Sequence, residues 1–308
     1  MNEKIICGDS LNVLKTLESE SVDCVITSPP YWGLRDYGVK EQLGLEPDFE
    51  DYIKRLVAIF VEAKRVMKKT GTCWVNMGDT YSAGDVEGFV DATDNLKYAG
   101  TTANIGGRKK RGGSRMPSKC LMQIPFRFSI AMVDAGFILR NIIVWHKPNA
   151  MPTSVTDRFT CDWEPIFFFS KSKRYNFEQQ LEKSLWADKD ARAVNGPSSG
   201  GKAQSGEYAI DKGGAFRKDG MRNTRATWSI NTKPYSEAHF ATYPETLVQQ
   251  MLLPGCPKGG TVLDPFSGAA TTGVVAKKNG RNYIGIELNP EYVAMSERRL
   301  AAITPPLF

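Results

Sequence analysis

Thr27-Ser28-Pro29-Pro30-Tyr31-Trp32 closes an apolar run, Val22-Asp23-Cys24-Val25-Ile26. A short β-rich run stopped by two prolines predicts a strand that ends in a rigid turn. The prolines fix φ and donate no N–H, so the carbonyls of Ser28 and Pro29 are left to point outward as acceptors. A tyrosine and a tryptophan then offer flat faces. Acceptors beside an aromatic plate suit a planar ring carrying an amino group, and a nucleic-acid base drawn out of its stack is such a ring.

A second informative stretch lies far downstream. Thr261-Val262-Leu263-Asp264-Pro265-Phe266-Ser267-Gly268-Ala269-Ala270-Thr271-Thr272-Gly273 reads as a strand, a small-residue turn and a helix start. Val274–Lys278 continues the helix and Asn279-Gly280 ends it. Tyr283-Ile284-Gly285-Ile286-Glu287 is the next strand, with an acid at its tip. Strand, small-residue loop, helix, strand and acid is the logic of nucleotide binding in open α/β sheets, where a carboxylate accepts from ribose hydroxyls. The dinucleotide fingerprint GxGxxG is absent. A third piece opens the chain: Ile5-Ile6-Cys7-Gly8-Asp9-Ser10 is a strand ending at a helix cap.

Together the three pieces resemble the S-adenosylmethionine-dependent DNA amino-methyltransferases of the cytosine-N4 and adenine-N6 types. Ser28-Pro29-Pro30-Tyr31 is similar to their catalytic tetrapeptide. Asp264–Thr271 is similar to their Asp-Pro-Phe cofactor loop, with Ala269 and Ala270 where the family usually has Ser and Gly. The catalytic loop precedes the cofactor loop, an order that resembles the permuted β group. The resemblance implies an α/β fold: a circularly permuted Rossmann-like domain with a mostly parallel seven-stranded sheet, helices on both faces and an inserted DNA-recognition region. It divides the chain into a catalytic half (1–170), a target-recognition region (171–238) and a cofactor-binding half (239–308).

The same resemblance implies roles. Ser28, Pro29, Pro30 and Tyr31 would be catalytic. Asp9, Ser10, Thr27, His239, Asp264, Phe266, Gly268, Thr271, Glu287 and Asn289 would hold S-adenosylmethionine, which leaves as S-adenosylhomocysteine. Trp32, Arg217, Lys218, Arg222 and Arg225 would touch double-stranded DNA. The serine at the head of the tetrapeptide favours cytosine N4 over adenine N6. An RNA or protein amide methyltransferase fits the permuted order and long insert less well, and a catalytically dead DNA-binding protein fits the intact motifs less well. A homodimer and a cognate restriction endonuclease are both compatible with the resemblance.

Composition agrees. The 308 residues are 41% hydrophobic, enough for one large α/β domain with an inserted module. No apolar run of membrane-spanning length and no signal-like start is present, so a cytoplasmic protein without a membrane partner is expected. Six cysteines form no Cys-x-x-Cys pair; Cys7, Cys24 and Cys73 lie in apolar runs and are expected to pack as small hydrophobes. The two histidines lack ligand spacing, so no metal is expected.

The net charge of +6 is unevenly spread. Lys97, Arg108, Lys109, Lys110, Arg111, Arg115 and Lys119 occur with no intervening acid, in a Gly-rich stretch. A second basic stretch spans Lys171–Tyr235, leaving the remainder acidic. Basic loops on an acidic body suit a polyanion, so Arg108–Arg111 and Arg115 are expected to grip DNA from a mobile loop at about 82–118. The repeated aromatic Phe167-Phe168-Phe169 is expected to be core.

Overall fold

In the computed structural model, residues 2–34, 36, 38–39, 41–82, 116–183, 221–233 and 243–304 are described. The chain divides into two units, Met1–Phe177 with Ala226–Phe308, and Glu178–Arg225.

The larger unit is an eight-stranded sheet with helices on both faces. In chain order its elements are β1 (Glu3–Cys7), α1 (Ser10–Thr16), β2 (Val22–Thr27), α2 (Phe49–Val66), β3 (Met67–Asn76), α3 (Ile124–Asp134), β4 (Ile138–His146) and β5 (Trp163–Ser170). After the smaller unit's β6 (Leu181–Lys183) and β7 (Met221–Asn223) come β8 (Thr227–Ser229), α4 (Glu245–Gly255), β9 (Thr261–Asp264), α5 (Thr271–Lys278), β10 (Asn282–Glu287) and α6 (Pro290–Ala301). The sheet order is β1-β10-β9-β2-β3-β5-β4-β8, and β6 pairs with β7 separately. Only β5 runs antiparallel to its neighbours. The sheet has one strand more than the seven expected. The eighth is β8, a three-residue edge strand too short to carry a periodic signal, within the stretch expected as the target-recognition region. Trp228 pairs with Trp145 there.

Both faces of the sheet are covered, which is why every residue of the central strand β2 is buried. Strand side chains alternate between faces. Val25, Cys73, Val75, Phe167 and Phe169 pack on one side with Leu14, Tyr52, Phe60 and Phe128 of α1, α2 and α3. Cys24, Ile26, Trp74 and Phe168 face Leu247, Val248, Val274 and Leu300 of α4, α5 and α6 on the other. The Phe167–Phe169 run is core, and the Phe168 ring stacks on Trp74 at 4.0 Å. α2 presents Tyr52, Leu56, Ile59, Phe60, Ala63 and Val66 at helical spacing, all buried, and Asp48 caps its first turn.

The permutation is visible where the chain's two ends meet. β1 is a parallel neighbour of β10, and beyond it the Asn2 amide donates to Asn282 Oδ1 at 2.9 Å while the Asn2 carbonyl accepts from Tyr283. Between β9 and β2 the chain turns outward in opposite directions, toward β10 and β1 on one side and toward β3 on the other. Such a switch point opens a crevice at the strand C-termini.

Cys24, Cys73 and Cys256 are buried, and all six cysteines are free. Cys7 departs from expectation: it is exposed, because it is the last residue of the outermost strand. The basic residues Arg108–Arg111 and Arg115 lie outside the described residues. The described residues on either side of that stretch are tied: Ser82 and Cys120 are joined by a backbone hydrogen bond of 2.8 Å, and Ser82 Oγ donates to the Met116 carbonyl. No helix among the described residues is long and apolar enough to cross a membrane.

Candidate active site

β9 and β2 are adjacent, so the loops that follow them share the crevice. They are stitched together at its floor, where Thr27 Oγ1 donates to Asp264 Oδ1 at 2.6 Å.

On the β9 side, Asp264 is almost fully buried. Oδ1 also accepts from the Phe266 amide, and Oδ2 accepts from Thr272 Oγ1 and the Tyr243 hydroxyl at 2.6 and 3.1 Å. Burial pushes this carboxyl above the usual range, and the four donors pull it back toward the ionised form they need. Asp264 is thus the knot that holds β2, β9, α5 and Tyr243, two residues before α4. The Tyr243 hydroxyl, pushed well up by burial and by Asp264, also contacts Thr272 Oγ1, and with Thr272 donating to Asp264 its single proton is shared between Asp264 and Thr272.

The loop beyond Asp264 is held from outside. Ser10 Oγ donates to the Pro265 carbonyl at 2.6 Å, Ser296 Oγ to that of Gly268 at 2.7 Å, and Arg299 to that of Ala269 at 2.8 Å. Ala270 adopts φ +54 to start α5, and Gly268 has φ +51 with nothing within 4 Å of where a Cβ would stand. That open space borders Glu287 at the tip of β10. Each Glu287 oxygen takes one backbone amide, Gly268 on Oε2 and Asn289 on Oε1, both at 2.8 Å. One lone pair on each oxygen is left to accept from a diol. Burial raises the Glu287 carboxyl, and the two amides lower it. Asp9 lies two residues beyond β1 next door and caps α1 through Asn12. These groups fit a nucleoside with a free ribose edge.

Of the expected cofactor residues, Asp9, Gly268 and Glu287 line this region. Ser10, Thr27, Asp264 and Thr271 are buried braces, and Asn289 caps α6. Phe266 packs against the core. His239 lies outside the described residues.

On the β2 side, Tyr52 donates to the Pro30 carbonyl at 2.7 Å. Ser28 Oγ donates to the Tyr31 hydroxyl at 3.3 Å. That hydroxyl is 2.9 Å from Glu164 Oε2 and 3.1 Å from Asn76 Oδ1. Asn76 Nδ2 donates to the same Glu164 oxygen at 3.0 Å, and Lys147 pairs with the other. The Tyr31 ring lies against Gly78, where a Cβ would come within 2.4 Å of Cε2. Trp32 is 8% exposed, its indole N–H donates to the Glu46 carbonyl at 3.0 Å, and it packs edge-on against Phe49 in the core. Sequence reading missed Asn76, Gly78, Lys147, Glu164 and Tyr243. For Asn76, Lys147 and Glu164 the signal available was polar residues at the ends of apolar strands.

The smaller unit carries Arg222 and Arg225, both paired with Glu182 at 2.8 and 3.0 Å. Arg217 and Lys218 lie outside the described residues.

A family model described as DNA methylase matches residues 22–298. The chain belongs to the DNA methylase family. It is 42% identical over 95% of its length to the Type II methyltransferase M.XycI of Xanthomonas campestris pv. cyanopsidis, covering 86% of that protein. It is 43% identical, with the same coverages, to the Type II methyltransferase M.Cfr9I of Citrobacter freundii. Among solved structures, the cytosine-N4-specific PvuII DNA methyltransferase aligns with TM-score 0.64 at 20% identity over 99% of this chain and 89% of that one. A putative DNA modification methylase of Thermus thermophilus, solved with S-adenosyl-L-methionine, aligns with TM-score 0.59 at 20% identity over 97% and 93%. Both confirm the Rossmann-like fold of this DNA methylase.

Proposed function

We propose that this DNA methylase transfers a methyl group to the exocyclic amine of a flipped base, cytosine N4, with Ser28–Tyr31 as the catalytic loop and the Asp9, Gly268 and Glu287 region as the cofactor site. The observation that carries the reading is the Thr27–Asp264 bond, which sets the tetrapeptide across one crevice from the nucleoside-fitting loop.

S-adenosylmethionine, when bound, supplies an electrophilic methyl on a sulfonium. Glu287 accepts from its ribose hydroxyls and the Gly268 turn leaves room for its backbone approach. An exocyclic amine is a weak nucleophile because its lone pair is delocalised into the ring. Ser28 Oγ and the Pro29 carbonyl accept from its two N–H groups and draw the nitrogen toward tetrahedral geometry, so that the lone pair faces the methyl. The Tyr31 face stacks on the base, a contact worth about 1–3 kcal/mol. Most of the acceleration is positioning. The choice of cytosine rests on the serine at position 28. Contacts outside the crevice fall to the basic stretches, Arg108–Arg111, Arg115, Arg217, Lys218, Arg222 and Arg225, whose phosphate contacts would position the duplex.

The test is methyl transfer from labelled S-adenosylmethionine to unmethylated duplex DNA, followed by digestion and mass spectrometry of the nucleosides. N4-methylcytosine, lost in Ser28→Ala, is expected. N6-methyladenine would overturn the choice of base and keep the site. No methylated nucleoside with bound cofactor would overturn the reading.

A further inference from the structure

Behind the tetrapeptide stands a hydrogen-bond chain whose direction is fixed. The Tyr31 hydroxyl faces two atoms, Glu164 Oε2 and Asn76 Oδ1. A carboxylate and an amide oxygen are both acceptors only. Asn76 cannot turn its amide round, because its Nδ2 is committed to Glu164 Oε2. Lys147 pairs with the second Glu164 oxygen while lying 4.5 Å over the Trp145 ring, so the carboxylate faces donors from both sides. Tyr31 must therefore donate inward, which turns its oxygen lone pairs toward Ser28. Ser28 then donates to Tyr31, at 3.3 Å, and its own lone pairs are left to accept.

We propose that Glu164, clamped by Lys147 and Asn76, is the positioning residue that makes Ser28 an obligate acceptor. This rests on the amine-methylation reading above and deepens it. A Ser28 hydroxyl without this backing rotates freely and serves as donor or acceptor. With it, the site receives an N–H group and turns away a ring carbonyl oxygen at the same place, since two acceptors would then face each other. The lining of the crevice thus selects an amino-bearing base edge before any chemistry occurs. Glu164 and Lys147 come from facing positions of β5 and the end of β4, where Trp145 pairs with Glu164, so the sheet's one antiparallel strand supplies the polarity.

Glu164→Gln tests this with little change of shape. Lys147 holds the amide oxygen, so the new NH₂ faces Tyr31 and the fixed direction is lost. We expect kcat to fall roughly 10²-fold, the scale for misplaced reacting groups, with cofactor affinity and DNA KM unchanged. Tyr31→Phe keeps the ring face and cuts the chain at its middle. Glu164→Gln added to Tyr31→Phe should then cost little more than Tyr31→Phe alone. Should Glu164→Gln fail to fold, Lys147→Met with Tyr31→Phe gives the same cycle. Restored turnover in Lys147→Arg, which keeps the charge, supports the assignment. An active wild type with Glu164→Gln within about twofold, or losses that multiply in the double variant, overturns it. Absence of any methylated amine from the wild type overturns the underlying reading instead.

Discussion

Asp264–Ala270 and Ser28–Tyr31 leave adjacent strands at the same edge of one sheet, yet they are secured by different means. The first loop is fastened mainly through its backbone. Ser10, Ser296 and Arg299 reach in from β1–α1 and α6 to its carbonyls, and one buried carboxylate gathers four donors beneath it. The second has one backbone anchor, Tyr52 on the Pro30 carbonyl, and is otherwise fastened through the tip of a side chain, the Tyr31 hydroxyl, backed by Asn76, Glu164 and Lys147 from three further strand ends. A loop that receives a ligand common to many enzymes can be held by its backbone and small residues. A loop that must present a directed hydroxyl needs a backing network whose polarity is set. Loss of the first anchoring should therefore read out in stability and cofactor affinity, and loss of the second in turnover.

The largest effect is expected where the Tyr31 ring meets Gly78. A methyl group at Gly78 cannot coexist with the ring, since its carbon would be 2.4 Å from Cε2. Gly78→Ala should move Tyr31 and lower kcat by roughly 10²-fold, while isothermal titration finds cofactor affinity unchanged. Equal losses in affinity and turnover would erase the proposed division between the loops. The complementary change, Asp264→Asn, should lower the urea-unfolding free energy by about 2 kcal/mol, because buried donors lose an acceptor. It should also weaken cofactor binding.

A subtler test uses pH. Burial raises the Glu287 carboxyl above its ordinary 4.5. As pH falls through that raised value, Glu287 takes a proton and loses acceptor capacity, so cofactor affinity should decline earlier than for an ordinary glutamate. Stability has the opposite sign. Between the folded and unfolded values the native state binds more protons, so the unliganded protein gains stability from this group as pH falls. Glu287→Gln should flatten both dependences, measured by titration calorimetry and thermal melts across the acidic range. A variant whose affinity still falls with pH like the wild type would move the titrating group elsewhere.

These contrasts explain what the sequence made legible. The proposed cofactor side is local: strand, small-residue turn, helix and acid lie within Thr261–Glu287, and every part announces its backbone task. The permuted sheet was implied by the family resemblance that the order of three such pieces carries. The backing of Tyr31 is not local. Asn76, Lys147 and Glu164 converge only because β5 is inserted antiparallel between β3 and β4, and nothing in an isolated lysine or glutamate signals that register. Strand β8 was hidden for a related reason, since three residues at an edge carry no period. Nothing in the sequence around Tyr243 signals that its hydroxyl serves Asp264 across the floor of the crevice.

The smallest effect is expected at Trp32, where composition and packing disagree. An aromatic one residue beyond the tetrapeptide looks suited to a base, but its indole is turned inward between Glu46 and Phe49. Trp32→Phe keeps most of the apolar contact and removes one hydrogen bond, so stability should fall by about 1 kcal/mol, with DNA affinity within about twofold of wild type. Fluorescence anisotropy with a labelled duplex and urea unfolding monitored by circular dichroism measure the two quantities separately. A collapse of DNA affinity at unchanged stability would mean that Trp32 leaves its pocket when DNA binds. The catalytic-side loop would then be remodelled by its substrate while the cofactor-side loop, tied through its backbone, stays in place.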